Sequence, residues 1–224
     1  MNTMFELIWL AITHPKEAFK RIREKRPLYA ALILLLIYGI VSIVAGYIAG
    51  KNGLNLLPQI PESEITPYIG GGEFLQNLNS LISGYFSSMF FFVFGLITPY
   101  LTTFISTAIF DLIAQFFVKK GAGITLFIAW SFAAIPMLVY KVLNLTTLAL
   151  FSYSLPVYIE LIFIIWSIYM YITAIKETYE INTGLSIGIY FTPIIVIFVL
   201  LIIYMALLFP LISKYLLSIT TGII

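Results

Sequence analysis

Long runs of apolar residues, separated by short polar stretches, make up most of the chain from residue 28 onward. A hydrocarbon layer about 30 Å thick takes about 20 helical residues to cross, because each residue of an α-helix advances about 1.5 Å. Five of the runs are long enough. They predict transmembrane helices over residues 28–49, 90–118, 124–148, 155–176 and 188–213.

The second run raises a question of length. From Tyr85 to Val118 it would extend about 51 Å as a single helix, which is more than an upright span needs. Pro99 lies within it and lacks the N–H group that an uninterrupted helix requires. Two structures fit this pattern: one long kinked helix, or a shorter span joined to an interfacial segment.

The segment before the first span has a different pattern. Apolar side chains recur there at the spacing of one helix face, at Phe5, Ile8, Trp9 and Ile12. This spacing is typical of an amphipathic helix that lies in the membrane interface. Pro15 suits the first position of a second helix, where no N–H group is needed. We therefore expect residues 1–26 to be an interfacial segment and residues 27–224 to be a single five-span membrane domain.

Six of the 12 lysine and arginine residues lie in this same segment, directly before the first span. They are Lys16, Lys20, Arg21, Arg23, Lys25 and Arg26. Such a cluster beside a span is typical of an anchor to anionic lipid, worth about 1 kcal/mol per charge. We expect these residues to bind anionic headgroups of the cytoplasmic leaflet. A solvated helix face is the simpler alternative.

Composition supports the membrane interpretation. Hydrophobic residues make up 61% of the chain and charged residues 10%, with a mean hydropathy of +1.04. Soluble domains contain about 25% charged residues. The predicted fold class is therefore all-α: a polytopic integral membrane bundle of five transmembrane helices, preceded by a basic amphipathic interfacial helix.

The distribution of the remaining cations predicts the orientation of the spans. Lysine and arginine near span ends stay in the cytoplasm, whereas acidic residues have little influence. Lys119 and Lys120 precede the third span and Lys176 follows the fourth, so these ends join the N-terminal cluster on the cytoplasmic side. The loop 51–84 is then external. We predict a multi-pass protein of the cell membrane with a cytoplasmic N-terminus and an external C-terminus.

Charged residues within the spans are candidate functional residues, because charge at membrane depth is costly. Lys141 in the third span and Glu160 in the fourth lie at similar depths. Consecutive helices tend to pack as neighbours, so we expect the two side chains to face each other. An ion pair that only fixes helix packing, or a lysine that reaches outward to the interface, is the alternative to a functional role.

Asp111, in the inner half of the second span, is the third such residue. Hydroxyl side chains precede it at helical spacing, at Thr98, Thr102, Thr103, Ser106 and Thr107. This stripe fits the lining of a wet cavity. It also fits hydroxyls that bond to the preceding helix turn or serve in helix packing.

No catalytic, cofactor or metal site is evident in the sequence. The chain has no cysteine and one histidine, His14, which precedes Pro15 and suits a helix cap or the interface. A zinc site or a catalytic triad therefore lacks the necessary residues. We expect no enzymatic activity, no cofactor and no nucleic-acid partner, since the basic cluster adjoins lipid.

Three short motifs resemble a known family. They are Ile8-Trp9 followed by His14-Pro15-Lys16-Glu17-Ala18-Phe19, then Lys119-Lys120-Gly121-Ala122-Gly123 leading to Ala133-Ala134-Ile135-Pro136, and finally Tyr171-Ile172-Thr173-Ala174-Ile175-Lys176-Glu177-Thr178-Tyr179. Together they are similar to prokaryotic members of the YIP family, the Ypt/Rab-interacting five-span membrane proteins. The resemblance implies a five-helix integral protein with a cytoplasmic N-terminus.

The family's better-known activity does not carry over to this chain. Eukaryotic relatives bind lipidated small GTPases and shape or sort Golgi and endoplasmic-reticulum membranes. This chain lacks their long N-terminal region and their Asp-Leu-Tyr-Gly-Pro signature, and contains only Phe110-Asp111-Leu112 in another context. GTPase binding is therefore not expected from the resemblance.

Two functions fit the sequence. The first is a non-enzymatic membrane scaffold or adaptor in membrane organisation or trafficking-like processes, with anionic lipids as partners and with other proteins or further copies of the chain as additional candidates. The second is a small transporter or channel for a solute or ion, which would use Asp111, Lys141 and Glu160. Against the second, the five spans show no obvious inverted repeat of the kind common in secondary transporters.

Overall fold

The computed structural model describes residues 4–51 and 89–221, and this part of the chain forms eight α-helices without a strand. In chain order they are α1 (Met4–Thr13), α2 (Pro15–Lys25), α3 (Leu28–Lys51), α4 (Met89–Val118), α5 (Gly123–Ala133), α6 (Ile135–Phe151), α7 (Val157–Tyr179) and α8 (Thr183–Thr221). The predicted all-α fold class is confirmed.

Five segments are long and apolar enough to cross a membrane, as the sequence predicts. They are Leu28–Ile48, Phe92–Val118, Gly123–Phe151, Val157–Tyr179 and Thr183–Phe209. We number them as spans one to five. The third span consists of α5 and α6, and each of the others lies in a single helix. Beyond Lys51, the predicted external loop 51–84 lies outside the described residues.

The second span is one long helix. α4 runs without a break from Met89 to Val118, with Pro99 inside it and buried. At about 1.5 Å per residue, its 30 residues extend about 45 Å. Over the described residues of this run, the structure favours the single long helix, because the helix includes the residues around Pro99, while residues 85–88 lie outside the described part of the chain.

The third span is divided, although the sequence predicts one helix over residues 124–148. α5 ends at Ala133, Ala134 separates the two helices, and α6 begins at Ile135 with Pro136 in its first turn. Proline has no N–H group to donate to the preceding turn, so the helical ladder is interrupted there. The Ala134 N–H still bonds to the Trp130 carbonyl oxygen at 3.2 Å, which keeps the two halves consecutive.

The N-terminal helices are packed into the bundle. Leu7 and Ala11 of α1 and Phe19 and Ile22 of α2 are buried in one core with side chains of α3, α5, α6 and α7. The opposite face of α1 is open, and its large apolar side chains include Trp9, which is 67% exposed. The basic segment is therefore held firmly against the span helices. The division into residues 1–26 and 27–224 stays a prediction.

α5 lies at the centre of the packing, in contact with α2, α3, α4 and α7, while α8 packs against α4 and α7. α3 and α4 approach each other closely through glycines. A Cβ atom added at Gly39 would lie 3.3 Å from the Gly95 carbonyl oxygen, and one added at Gly95 would lie 2.5 Å from Ile43 Cγ1. Small residues at such a crossing let two membrane helices pack backbone to backbone.

Candidate functional site

Cationic residues from separate parts of the sequence meet at one end of the bundle. This end, called the basic end below, consists of the C-terminal end of α2, the connection between α4 and α5, and the C-terminal end of α7. Arg23 of α2 joins two of these parts, although 154 residues separate it from its partner on α7. Its Nη1 atom donates to the Glu177 carbonyl oxygen at 2.8 Å and lies 2.8 Å from Glu180 Oε1.

A second ion-pair network lies on the exposed side of α2. Arg21 Nη2 lies 2.6 Å from Glu17 Oε1, and Arg21 Nη1 lies 3.1 Å from Glu6 Oε1 on α1. The hydrogen bond that Arg21 donates to Glu17, with the charges of both carboxylates, raises the pKa of the Arg21 guanidinium. Arg21 and Arg23 thus have protein partners, which the sequence did not indicate, while Lys16 and Lys20 are exposed.

An open cleft of about 420 Å³ lies at the basic end, called the basic cleft below. It is lined by Arg23, Arg26, Lys120, Gly121, Ala122, Gly123, Ile124, Thr125, Thr178 and Glu180. Three of these side chains are cations and one is a carboxylate. The cleft therefore carries a positive charge, part of which Glu180 offsets through its ion pair with Arg23.

Two residues that line the basic cleft have an uncommon backbone conformation. Arg26 and Glu180 end α2 and α7 with φ angles of 45° and 58°. Glycine usually occupies this left-handed position after a helix, because a side chain there costs about 1–2 kcal/mol. The fold accepts this cost with charged residues in place of glycine, and both of them line the cleft.

The floor of the basic cleft contains polar groups without partners. Thr125 and Thr178 are 4% and 3% exposed, and neither hydroxyl has a hydrogen-bond partner within the described part of the chain. No side chain caps the N-terminus of α5, where the N–H groups of Gly123, Ile124 and Thr125 begin the helix. A helix N-terminus carries partial positive charge, and the carboxylate of Asp111 close to it offsets part of that charge.

Asp111 lies behind this end of the bundle and connects three elements. Its Oδ1 atom accepts hydrogen bonds from the Tyr179 hydroxyl of α7 and from the Ala122 N–H at 2.8 Å. Its Oδ2 atom accepts one from Gln115 Nε2 at 2.7 Å. A Cβ atom added at Gly123 would lie 3.3 Å from Oδ2, so the small residue lets the carboxylate approach. Asp111 therefore fixes the turn that forms one wall of the basic cleft.

Four aromatic rings form a cluster beside this node and join four helices. The ring centroids of Phe110 and Trp130 are 4.5 Å apart, and those of Trp130 and Tyr171 are 4.4 Å apart. Tyr190 of α8 completes the cluster, 5.8 Å from Phe110 and 6.3 Å from Tyr171. Helix contacts of this kind hold α4, α5, α7 and α8 together. The sequence offered only isolated aromatic residues as a signal.

The predicted pairing of Lys141 with Glu160 is wrong. Lys141 Nζ donates to Ser42 Oγ at 2.8 Å and lies 4.2 Å from the ring centroid of Tyr38, both on α3. Glu160 instead accepts a hydrogen bond from the Tyr140 hydroxyl at 3.2 Å. α6 and α7 do pack as neighbours. Successive helical residues point about 100° apart, so Tyr140 faces α7 while Lys141 faces α3.

The hydroxyl stripe of α4 bonds largely to its own helix. Thr98 donates to the Phe94 carbonyl oxygen at 2.6 Å, Thr102 to that of Thr98 at 2.8 Å, and Thr107 to that of Thr103 at 2.8 Å. Such bonds satisfy hydroxyls inside a membrane helix. These contacts favour the packing interpretation of the stripe over a wet pathway. Within the described ranges, no three His, Cys, Asp or Glu side chains come together in a way that could hold a metal ion.

Comparison with known proteins identifies the family of the chain. The model of the Yip1 domain matches residues 9–214 of the chain, which includes all five spans. No curated protein and no solved structure matches the chain.

Proposed function

Since the chain belongs to the Yip1 domain family and is a multi-pass integral membrane protein, we propose that it is a non-enzymatic membrane scaffold whose basic end binds anionic lipid headgroups. One observation carries this proposal: cations from two segments far apart in the sequence, the C-terminal end of α2 and the connection between α4 and α5, line one cleft at the same end of a five-span bundle. By the positive-inside rule, we expect that end to lie on the cytoplasmic side of the cell membrane.

The N-terminal helices supply the surface for this contact. Lys16 and Lys20 are exposed on α2, and Phe5 and Trp9 are exposed on α1. Exposed aromatic and basic side chains on neighbouring helices suit the boundary between headgroups and acyl chains. Because α1 and α2 share a core with the spans, binding of these two helices to the leaflet also fixes the position of the whole bundle. The bundle then offers a fixed platform for partner proteins or further copies of the chain.

The contacts of the intramembrane charges support a scaffold more than a transporter. Asp111, Lys141 and Glu160 each bind a group on another helix or on a neighbouring turn, and these partners do not include one another. A pathway for ions or protons would bring such groups together along a continuous route. Here they hold helices in place.

Lipid selectivity of the full-length protein tests the proposal. Trp130→Phe and Trp166→Phe leave Trp9 as the reporter in the basic N-terminal region. In proteoliposomes, brominated anionic lipid should quench Trp9 fluorescence more strongly than brominated zwitterionic lipid at the same mole fraction. The preference should weaken at 1 M salt, where the screening length falls to about 3 Å.

The variant Lys16→Gln/Lys20→Gln should reduce this preference, because it removes two exposed charges worth about 1 kcal/mol each near an anionic surface. Thr13→Val serves as a control that leaves the charge unchanged. Equal quenching by the two lipids in the unmodified chain would refute the anchoring role.

Flux measurements test the alternative function, a transporter or channel. Proteoliposomes that contain the full chain should show the same ion and solute leak as empty liposomes, and Asp111→Asn and Glu160→Gln should not change it. A leak that depends on the protein and falls with either substitution would favour a transporter or channel.

A further inference from the structure

We propose that the basic cleft is a binding site for one phosphate group, carried by an anionic lipid of the leaflet that the basic end faces. The inference rests on the proposed function, since it names a specific site within the surface said to contact headgroups. The two kinds of binding differ. A charged surface attracts many lipids weakly, whereas a cleft with directed hydrogen-bond donors binds one lipid at a defined position.

Charge is the first argument. Arg23, Arg26 and Lys120 line the basic cleft, and Glu180 is the one carboxylate among its lining residues. Asp111 lies behind the Gly121–Gly123 wall, where its carboxylate accepts three hydrogen bonds and offsets part of the positive charge. Arg23 is held by Glu180, so Arg26 and Lys120 are the cations available to an incoming anion. Guanidinium and ammonium groups bind phosphate through short, charge-assisted hydrogen bonds.

The unpartnered donors are the second argument. Thr125 and Thr178 are buried residues that line the cleft, and neither hydroxyl has a hydrogen-bond partner in the described chain. Their hydroxyl oxygens stay accessible from the cleft, so a ligand bound there can supply the hydrogen bond that the chain does not. A phosphate oxygen is such a partner. The uncapped first turn of α5 adds N–H donors and a favourable dipole on the same side.

Position and size point to a lipid as the carrier of the phosphate. Gly123 and Thr178 lie at the ends of the third and fourth spans, which is the level of the headgroups. Ile124 lines the cleft, is 67% exposed and begins the apolar surface of the third span, along which an acyl chain would run. The volume of about 420 Å³ holds a headgroup with water, since one water occupies about 30 Å³ in the liquid.

Native mass spectrometry of the full-length protein in an uncharged detergent tests the site. The probes are a short-chain phosphatidic acid, the phosphatidylcholine with the same chains, and inorganic phosphate. The unmodified protein should bind one phosphatidic acid in preference to phosphatidylcholine. Arg26→Gln/Lys120→Gln should weaken this binding at least about tenfold, because it removes two charge-assisted contacts.

The matched control is Lys16→Gln/Lys20→Gln, which removes the same charge from the exposed face of α2 and should weaken binding less than about threefold. Equal loss in both double variants would overturn the cleft site while the lipid-anchor proposal stands. No preference for the anionic lipid in any form would overturn both. If inorganic phosphate displaces the lipid probe at equal concentration, the lipid source is overturned. Arg26→Lys/Lys120→Arg should retain binding.

A gain-of-affinity variant guards against simple misfolding. Glu180→Gln removes the carboxylate that lines the cleft and releases Arg23, which keeps its hydrogen bond to the Glu177 carbonyl oxygen. The phosphatidic acid should then bind about threefold more tightly or better, because a repulsive charge is lost and a cation is gained. A purely structural role for the Arg23–Glu180 pair predicts weaker binding or none, and that result would count against the site.

Discussion

The third span is less apolar than the fifth span but more deeply buried in the bundle. The most apolar stretch of the third span has a mean hydropathy of 1.8 and is 56% buried inside the bundle. That of the fifth has a mean hydropathy of 2.9 and is 0% buried. In a water-soluble protein the more apolar helix would be the buried one. In this protein it is the one left to face lipid.

The difference shows what drives helix packing in a membrane. Lipid tails solvate leucine and isoleucine as well as a protein interior does, so apolarity alone gives no reason for burial. The buried third span instead has small or weakly polar side chains such as Ala129, Ser131 and Ala133. Polar contacts fix it near both ends, through Asp111 at one and Lys141 at the other.

The largest decrease in the free energy of unfolding should come from a larger side chain in the buried third span. Ala129→Phe places a ring where the existing side chain is 1% exposed, and the resulting overpacking should lower the free energy of unfolding by about 3 kcal/mol or more. Titration with a denaturing detergent in mixed micelles measures this quantity. Ala206→Phe makes the same change on exposed α8 and should cost less than about 0.5 kcal/mol. Similar losses in the two variants would contradict the assignment of α8 to lipid.

An intermediate loss of stability is expected at the end of the third span that adjoins the basic end. Asp111→Ala leaves the Ala122 N–H and the Tyr179 hydroxyl without their acceptor and should cost about 2 kcal/mol. In a double-mutant cycle, Tyr179→Phe should couple to Asp111→Ala by about 1 kcal/mol, because the two residues share a hydrogen bond. Thr98→Val, on the exposed part of α4, serves as the comparison and should not couple to Asp111→Ala. Additivity of the Asp111 and Tyr179 changes would contradict the proposed node.

The smallest effect concerns the half of the third span that lies away from the basic end. Lys141→Met should couple to Ser42→Ala by about 0.6 kcal/mol, the typical strength of a hydrogen bond between membrane helices. Its coupling to Glu160→Gln should be within about 0.3 kcal/mol of zero, because Glu160 bonds to Tyr140 instead. A large coupling between Lys141 and Glu160 would restore the ion pair predicted from the sequence.

Much of the fold could be predicted from the sequence, and the predictions that were wrong failed for physical reasons. The positions of the five spans follow from apolar length alone, since the bilayer thickness sets the length of every span. The division of the third span was missed, although Pro136 is a direct signal for it. The packing of α1 and α2 into the core was also missed, because an amphipathic face fits a lipid interface and a protein core equally well.

The candidate site was accessible only in part. The excess of cations beside the spans was plain, and so was the grouping of these span ends on one side. The sequence did not show which cations bind to other parts of the protein, because Arg23 and its carbonyl partner are 154 residues apart. The same holds for the hydrogen bond between Asp111 and Tyr179, which are 68 residues apart. No local pattern marks such pairs. The left-handed conformations of Arg26 and Glu180 occur where a sequence normally signals the helix end with glycine.

The sequence by itself determined that this chain is a five-span membrane protein and which span ends carry the positive charge, because both depend on transfer of each segment between water and lipid. Only the tertiary structure decided which helix is buried, which charges pair, and that the end of α2 encloses a basic cleft together with the ends of the third and fourth spans. These outcomes depend on the direction in which each side chain points. Neighbouring residues on a helix point about 100° apart. In a uniformly apolar helix no contrast between polar and apolar faces shows which of these directions points toward the bundle.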